Sequence, residues 1–364
     1  MPSMTLERDA VIVGVDTHKH EHAAVALDGL GGRLDELFVE AKPDGYTELL
    51  DWARAQGRVV AFGVEGTGSY GSGLARFLRR HGITVIEVCR PPRKGERRAS
   101  GKSDAIDAEH AARQVLAGEA TATPKTADGV VEVLRVIKIA RDTAVKAHTQ
   151  AMISLKAVLV TASDELRAQL EPLTNHKLVT ACAAFAADLE INRPDDAVRH
   201  TLGSLARRWL QLHEEIKGHT RLLQQHTAAA APQLVAQFGV GFDCAAELLI
   251  AAGDNNDRIR SEAAFAKLCG VCPVPASSGK SSGRYRLNRG GNRQANAALY
   301  RVVIVRMRWH EPTIAYVKRR TAEGLSKKDI IRCLKRYVAR DLFRLLPAPP
   351  PKPEDRSAQL LEMA

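Results

Sequence analysis

Four acidic residues stand where metal-dependent phosphodiester chemistry would need them. Asp16 closes the apolar run "AVIVGVD", and Glu65 closes a second, "VVAFGVE". Asp104 and Asp107 sit three residues apart in "KSDAIDAEHAA". At that spacing two side chains share one face of a helix. Two strand ends and one helix would then bring four carboxylates together. Mg2+ prefers oxygen ligands, so a crowd of Asp and Glu is its expected cage. A pair of such ions about 4 Å apart activates a nucleophile and stabilises the leaving oxygen of an in-line displacement. Without a cation, four clustered acids repel one another. Each acid also has an ordinary role. A strand-end Asp serves turns and caps, and an Asp in a first helical turn satisfies the helix dipole. The joint pattern, in this order, carries the metal reading.

The elements that would position these acids are legible in outline. Residues 11–15 read as a strand, with a short turn near Lys19 and a return strand over 23–27 that breaks at the turn-rich "DGLGG". "GYTELLDWARAQG" reads as an amphipathic helix stopped by Gly57. "RVVAFGVEGTGSYG" reads as a second apolar strand running into a glycine-rich loop, "SGLARFLRRHG" as a helix, and "ITVIEVC" as a third strand. The order β-β-α-β-α-β fits an α/β domain with a mixed sheet. Acids on neighbouring strand ends, completed by a later helix, make an RNase H-like arrangement. From about Gly129 to Gln225 glycine is rare and Leu, Ala and Val recur at helical spacing. Two long helices are expected, "VVEVLRVIKIARDTAVKAHTQAMISLKAVLV" and "LGSLARRWLQLHEEIKGHTRLLQQHT". They suit a helical hairpin or a dimerising coiled-coil arm. Further on, "PQLVAQFGVGFDCAAELLIAAGD" places two short helices around Gly239-Val240-Gly241. That is a helix-hairpin-helix pattern, whose turn offers backbone N–H groups to a phosphate. The expected domains are 9–128, 129–228 and 229–345, with a proline-rich tail over 346–364.

Charge indicates the partner. The chain of 364 residues carries a formal charge of +11. Between Asp257 and Arg344 there are 21 Lys and Arg against 6 Asp and Glu, so the basic character lies in the C-terminal third. A polyanion such as nucleic acid is the simplest partner. The linker from Arg90 to Lys102 adds six cations, Arg93, Lys94, Arg97, Arg98 and Lys102 among them, against one Glu. It would hold phosphates against the acids. No apolar run reaches the roughly 18 residues of a membrane span, and the start "MPSMTLERDA" lacks the apolar core of a signal peptide. Six cysteines in so long a chain do not form a disulfide framework. The lone "CGVC" at Cys269 and Cys272 reads as two small buried thiols rather than a zinc site. A cytoplasmic protein is expected, nucleoid-associated when bound to DNA. No Walker loop is present for a small phosphate substrate.

Four motifs together resemble one family. "VGVDTHK", "VEGTGSYG", "KSDAIDAEHAA" and "PVPASSGKSSGRYRLNRGGNRQANAALYR" are similar to the IS one-ten family of insertion-sequence transposases over roughly residues 11–320. These are DEDD recombinases with an N-terminal RuvC-like domain and a C-terminal domain that bears a serine. The resemblance implies that Asp16, Glu65, Asp104 and Asp107 are the DEDD set and bind Mg2+. It implies a serine nucleophile in "SSG", with Ser278 favoured, Ser277 next, and Ser281 and Ser282 weaker. A serine suits strand exchange, because a covalently held strand end conserves the bond for rejoining. Lys280, Arg284, Arg286 and Arg289, with Arg293 beyond them, would hold the nucleic acid and stabilise charge. The resemblance also implies donor and target DNA as substrates and a structured bridge RNA as guide, so that base pairing selects the sequence. It further implies homo-oligomers, dimers pairing into a tetramer on two DNA sites, with the RuvC-like domain of one protomer meeting the serine domain of another. An aromatic content of 5% suits backbone contacts.

The expected activity is therefore transposition, by Mg-dependent cleavage and transfer of DNA strands. Two rivals make other predictions. A Holliday-junction resolvase or nuclease would use the DEDD acids and water alone, and would not need Ser278. A non-catalytic nucleic-acid-binding protein would show no Mg2+ dependence.

Overall fold

A computed structural model describes residues 7–89, 103–187, 190–276, 285–288 and 290–347. The chain divides into two compact units between Thr126 and Ala127.

The first unit is built on a five-stranded mixed sheet. Its strands are β1 (Ala10–Thr17), β2 (Glu21–Asp28), β3 (Arg33–Glu40), β4 (Arg58–Glu65) and β5 (Val85–Val88), in the order β3-β2-β1-β4-β5. β1 pairs antiparallel with β2 and parallel with β4, and β4 pairs parallel with β5. Helices α1 (Pro43–Gln56) and α2 (Ser72–Arg80) contribute to a core on one face, and α3 (Asp104–Leu116) covers the other. Strand parity explains the division. Val11, Val13 and Val15 of β1 pack with Leu49, Leu50, Leu74 and Leu78, while Ile12 packs with Ala105, Ala108 and Ala112 of α3. Successive side chains alternate between faces, so Asp16 shares the α3 face with Ile12. On β4, Phe62 and Val64 face one core and Ala61 the other, which assigns Glu65 to the α3 face as well.

β3 was not expected. The "DGLGG" cluster is a hairpin turn rather than the end of the local sheet. Asp28 Oδ1 accepts from the N–H groups of Leu30 and Gly32, at 2.9 and 2.7 Å, and the chain returns along β2. β3 is an edge strand with most of its residues exposed, so its apolar alternation is diluted by charge.

Among the described residues the second unit is helical apart from one small antiparallel pair of strands. Its elements in order are α4 (Val130–Val160), α5 (Asp164–Leu170), α6 (Asn175–Ala183), α7 (Pro194–Ala230), α8 (Pro232–Val235), α9 (Phe242–Ala252), α10 (Glu262–Leu268), β6 (Pro273–Pro275), β7 (Tyr285–Leu287), α11 (Arg293–Trp309), α12 (Glu311–Ala322) and α13 (Lys327–Phe343). The expected long helices are α4 and α7, of 31 and 37 residues. They pair antiparallel within one chain. Ala151, Leu155 and Leu159 of α4 share a core with Leu202, Ala206 and Trp209 of α7. At the other end, Val131 and Leu134 join Leu223 in the core of α9, α11 and α13.

Two local expectations change. The first helix of the expected helix-hairpin-helix is the four-residue α8. In its glycine turn Val240 is buried and Arg306 Nε donates to the Phe238 carbonyl at 2.9 Å, while Gly241 is exposed. The first turn of α9 carries Asp243, whose carboxylate is engaged by Lys138, Arg141 and Arg301. The "CGVC" thiols are not both buried. Cys269 is, and burial pushes its thiol up to about 12, whereas Cys272 is half-exposed. All six cysteines are free. Among the described residues no helix is long and apolar enough to cross a membrane.

Candidate metal centre

The site begins with strand register. β1 and β4 run parallel with Val15 opposite Val64, so Asp16 and Glu65 follow at the same level at the C-terminal ends of neighbouring strands. Both are buried, at 6% and 8% exposure. Thr17 Oγ1 donates to the Glu65 carbonyl at 2.8 Å and ties the two strand ends together.

The helical acids arrive because α3 lies directly on the sheet. A Cβ on Gly14 would overlap the backbone of Ala108 and Ala112, and one on Gly63 would stand 3.0 Å from the Ala111 carbonyl. Glycine at these two strand positions lets the helix backbone approach. Alanines 105, 108, 111 and 112 line the helix face that meets the sheet. α3 opens at Ser103, whose carbonyl accepts from the N–H groups of Ile106 and Asp107, at 3.1 and 3.2 Å. Asp104 and Asp107 fall in the first turn, where the helix dipole favours anions.

His18 was not anticipated. Its Nε2 lies 3.8 Å from Asp16 Oδ2, and its Nδ1 lies 3.9 Å from Asp104 Oδ2. Asp16, His18 and Asp104 each offer a ligand atom, and these atoms lie within 4.8 Å of one another. The available signal was local, since "VDTHK" places His18 two residues beyond Asp16, just after β1 ends.

The electrostatics mark Asp16 as the centre. Its carboxyl is held above the usual carboxylate range, first by burial, with Glu65, Asp107 and Asp104 adding to the rise and His18 opposing it. All three partner acids therefore bear on one buried carboxylate. A divalent cation would offset that repulsion, and the carboxylates of Asp16 and Asp104 with the His18 nitrogen beside them suit one. The residues present thus fit a divalent metal.

Asp16, Glu65, Asp104 and Asp107 are brought together in one unit. Arg286 on β7 and Arg293 at the start of α11 are both exposed in the other. Arg93, Lys94, Arg97, Arg98, Lys102, Ser277, Ser278, Lys280, Ser281, Ser282, Arg284 and Arg289 lie outside the described residues, as does the tail beyond Pro347.

Comparison with known proteins adds two family matches. A DEDD model of the IS110 type, described as Transposase, matches residues 13–163, which include all four acids. A second model, described as Transposase IS116/IS110/IS902 family, matches residues 233–318, which include the candidate serines. The chain is 25% identical over 398 residues to the "Insertion element IS116 uncharacterized 44.8 kDa protein" of Streptomyces clavuligerus, covering 95% of this chain and 99% of that protein. It is 31% identical over 125 residues to the "Insertion element IS110 uncharacterized 43.6 kDa protein" of Streptomyces coelicolor, covering 34% of this chain and 30% of that protein.

Proposed function

The chain belongs to the IS110 family of insertion-sequence transposases, and we propose that it cuts and exchanges DNA strands with Mg2+, guided by a structured non-coding bridge RNA. One observation carries the metal-dependent part. Buried Asp16 is flanked by Glu65 across a parallel register and feels Asp104 and Asp107 from the helix laid on the same face. On this reading the first unit is RNase H-like, and Asp16, Glu65, Asp104 and Asp107 hold the metal. The chemistry supplied when Mg2+ is bound is activation of a nucleophile and stabilisation of a leaving oxygen.

The chain's own residues then have separate tasks. Asp16 and Glu65 are held by the sheet and fix the position of the centre. Asp104 and Asp107 close it from the helix. Ser278, in the connection between β6 and β7, attacks the strand. A bond from its Oγ to phosphorus forms as the phosphorus–oxygen bond of the strand breaks, and the reverse attack by another strand end rejoins DNA. Arg286 and Arg293 hold the backbone of the nucleic acid. The working form is a homo-oligomer on donor and target DNA.

The test is recombination between donor and target plasmids by the chain co-expressed with the non-coding flank of its gene. Wild type should recombine, and Asp104→Ala and Ser278→Ala should fail while still binding RNA. Normal recombination by Ser278→Ala would shift the chemistry to Ser277 or to metal and water alone. Normal recombination by Asp104→Ala would remove the metal centre from the mechanism.

A further inference from the structure

We propose that a cavity in the second unit, walled by Tyr285, Tyr337, Cys272 and Cys333 and holding Arg286 and Lys335, receives one unstacked nucleotide of a nucleic-acid strand. The inference rests on the reading of this chain as a strand-cutting enzyme and adds a site to it.

The cavity has a volume of about 340 Å3. That lies at the small end of the roughly 300–1,000 Å3 seen for ligand sites. It suits one base with its sugar and phosphate, and it excludes a duplex. Three segments enclose it: the stretch from Gly270 to Pro273, the strand β7 with Asn288, and one face of α13. Asp329, Arg332, Cys333, Arg336 and Tyr337 recur at helical spacing on that face, while Ile330, Leu334, Val338 and Leu342 point into the core.

The charge in the cavity is unbalanced. Arg332 donates to Asp329 at 2.6 Å, and Arg336 donates to Glu262 at 3.1 Å. Among the described residues Lys335 has the neutral carboxamide of Asn296 and no carboxylate, the Asn296 Oδ1 accepting from it at 2.9 Å. Arg286 has no ion pair among the described residues. Among the described residues two cations therefore remain without a carboxylate, and one of them is half-buried. Burial, then the neighbouring Arg332, holds the Lys335 ammonium below its usual range. A desolvated cation without a counter-charge is costly, and a phosphate supplies that charge.

The walls suit a base. Tyr285 and Tyr337, both lining the cavity, are 65% and 42% exposed, so their rings are open to a ligand. Tyr337 is held edge-on against Tyr316, with ring centroids 5.7 Å apart. The frame is rigid. Asn296 Nδ2 donates to the carbonyls of Cys269 and Gly270, so one side chain both fixes the turn and aligns Lys335. Gly270 and Gly291 have φ values of +66° and +93°, and a Cβ on Gly291 would stand 2.5 Å from the Gly270 nitrogen. Aromatic stacking with a paired cation is how single strands are gripped without reading their sequence.

The full-length chain should be titrated in EDTA with a short fluorescein-labelled oligothymidylate, an abasic strand of equal length, and an oligouridylate. Wild type should prefer base-bearing over abasic strands. Tyr337→Ala and Lys335→Met should each weaken oligothymidylate binding about 5- to 100-fold, the range that loss of one stacked base implies. Tyr337→Phe should stay near wild type. A thermal melt identical to wild type separates loss of contact from loss of fold. An iodouracil strand should photo-crosslink to the Tyr285 or Tyr337 peptide. Tighter binding of oligothymidylate assigns the pocket to a DNA strand, and tighter binding of oligouridylate assigns it to RNA. Equal binding of base-bearing and abasic strands by wild type, or unchanged binding by a folded Tyr337→Ala, overturns the proposal. Because binding is read without metal, it is independent of the activity. If plasmid recombination fails but Tyr337-dependent binding remains, the transposase mechanism falls and the pocket stands. If recombination succeeds and Tyr337→Ala binds as wild type, the pocket alone falls.

Discussion

Gly14 of β1 lies directly beneath the carbonyl of Ala108 in α3, with no room between them for a side chain. Asp16 is two residues along the strand on the same face, and Asp107 is next to Ala108 on the helix. One backbone approach thus fixes the distance between the strand acids and the helical acids. Gly14→Ala should push α3 off the sheet. The expected cost is about 1–3 kcal/mol, as for overpacking, measured by urea unfolding. Mn2+ binding and recombination should fall with it. A variant of wild-type stability and full activity would show that the helix does not need this contact.

Asp16→Asn separates metal binding from fold. In EDTA the variant should melt at or above the wild-type temperature, because it removes a buried carboxylate surrounded by other acids. Mg2+ should raise the melting point of wild type but not of the variant. A ligand at about 100 times its dissociation constant contributes about 2.7 kcal/mol. Equal Mg2+ stabilisation of both chains would place the metal elsewhere.

Lys138 pins α4 to α9. It is buried, and its Nζ lies 3.2 Å from Asp142, 2.8 Å from Asp243 and 3.2 Å from Glu247. Lys138→Met should destabilise the second unit by about 3–5 kcal/mol, because it leaves the buried Glu247 carboxylate without its cation, while Asp142 keeps Arg141 and Asp243 keeps Arg141 and Arg301. Adding Glu247→Gln should recover part of the loss, since burial already raises the Glu247 carboxyl above its usual range. Chemical denaturation of the single and double variants provides the cycle.

The helical hairpin should weaken in acid. His148 stacks on Trp209 with ring centroids 4.2 Å apart, and it faces His213. Burial, then His213, lowers its pKa below the ordinary 6.5. A base whose folded pKa is depressed favours the neutral folded state. Its contribution is therefore complete above pH 6.5 and is lost as pH falls below that value. Urea midpoints followed by Trp fluorescence between pH 8 and pH 5 should fall for wild type. His148→Phe should flatten part of that fall. His22 in the sheet, lowered chiefly by burial, supplies a remaining slope of the same sign.

Much of this protein was determined by the order of its residues alone. Alternating apolar residues set the faces of β1 and β4, and those faces direct Asp16 and Glu65 toward the same helix. Asp104 and Asp107, three apart in a first turn, needed only helical geometry to share a face. The long helices α4 and α7 were legible because their apolar spacing repeats over many turns. The rest depended on neighbours distant in the chain. β3 is an exposed edge whose strand character comes from hydrogen bonds to β2, so its own charged sequence hid it. His18 joins Asp104 only after 85 intervening residues have folded back across the sheet. Whether α4 would pair with α7 was undecided by an imperfect heptad, and the core they share within this chain shows that they do. The nucleotide-sized cavity was invisible in the sequence for the same reason. Gly270, β7 and α13 come from three separate segments, and only tertiary packing brings Tyr285, Tyr337 and Lys335 around one space.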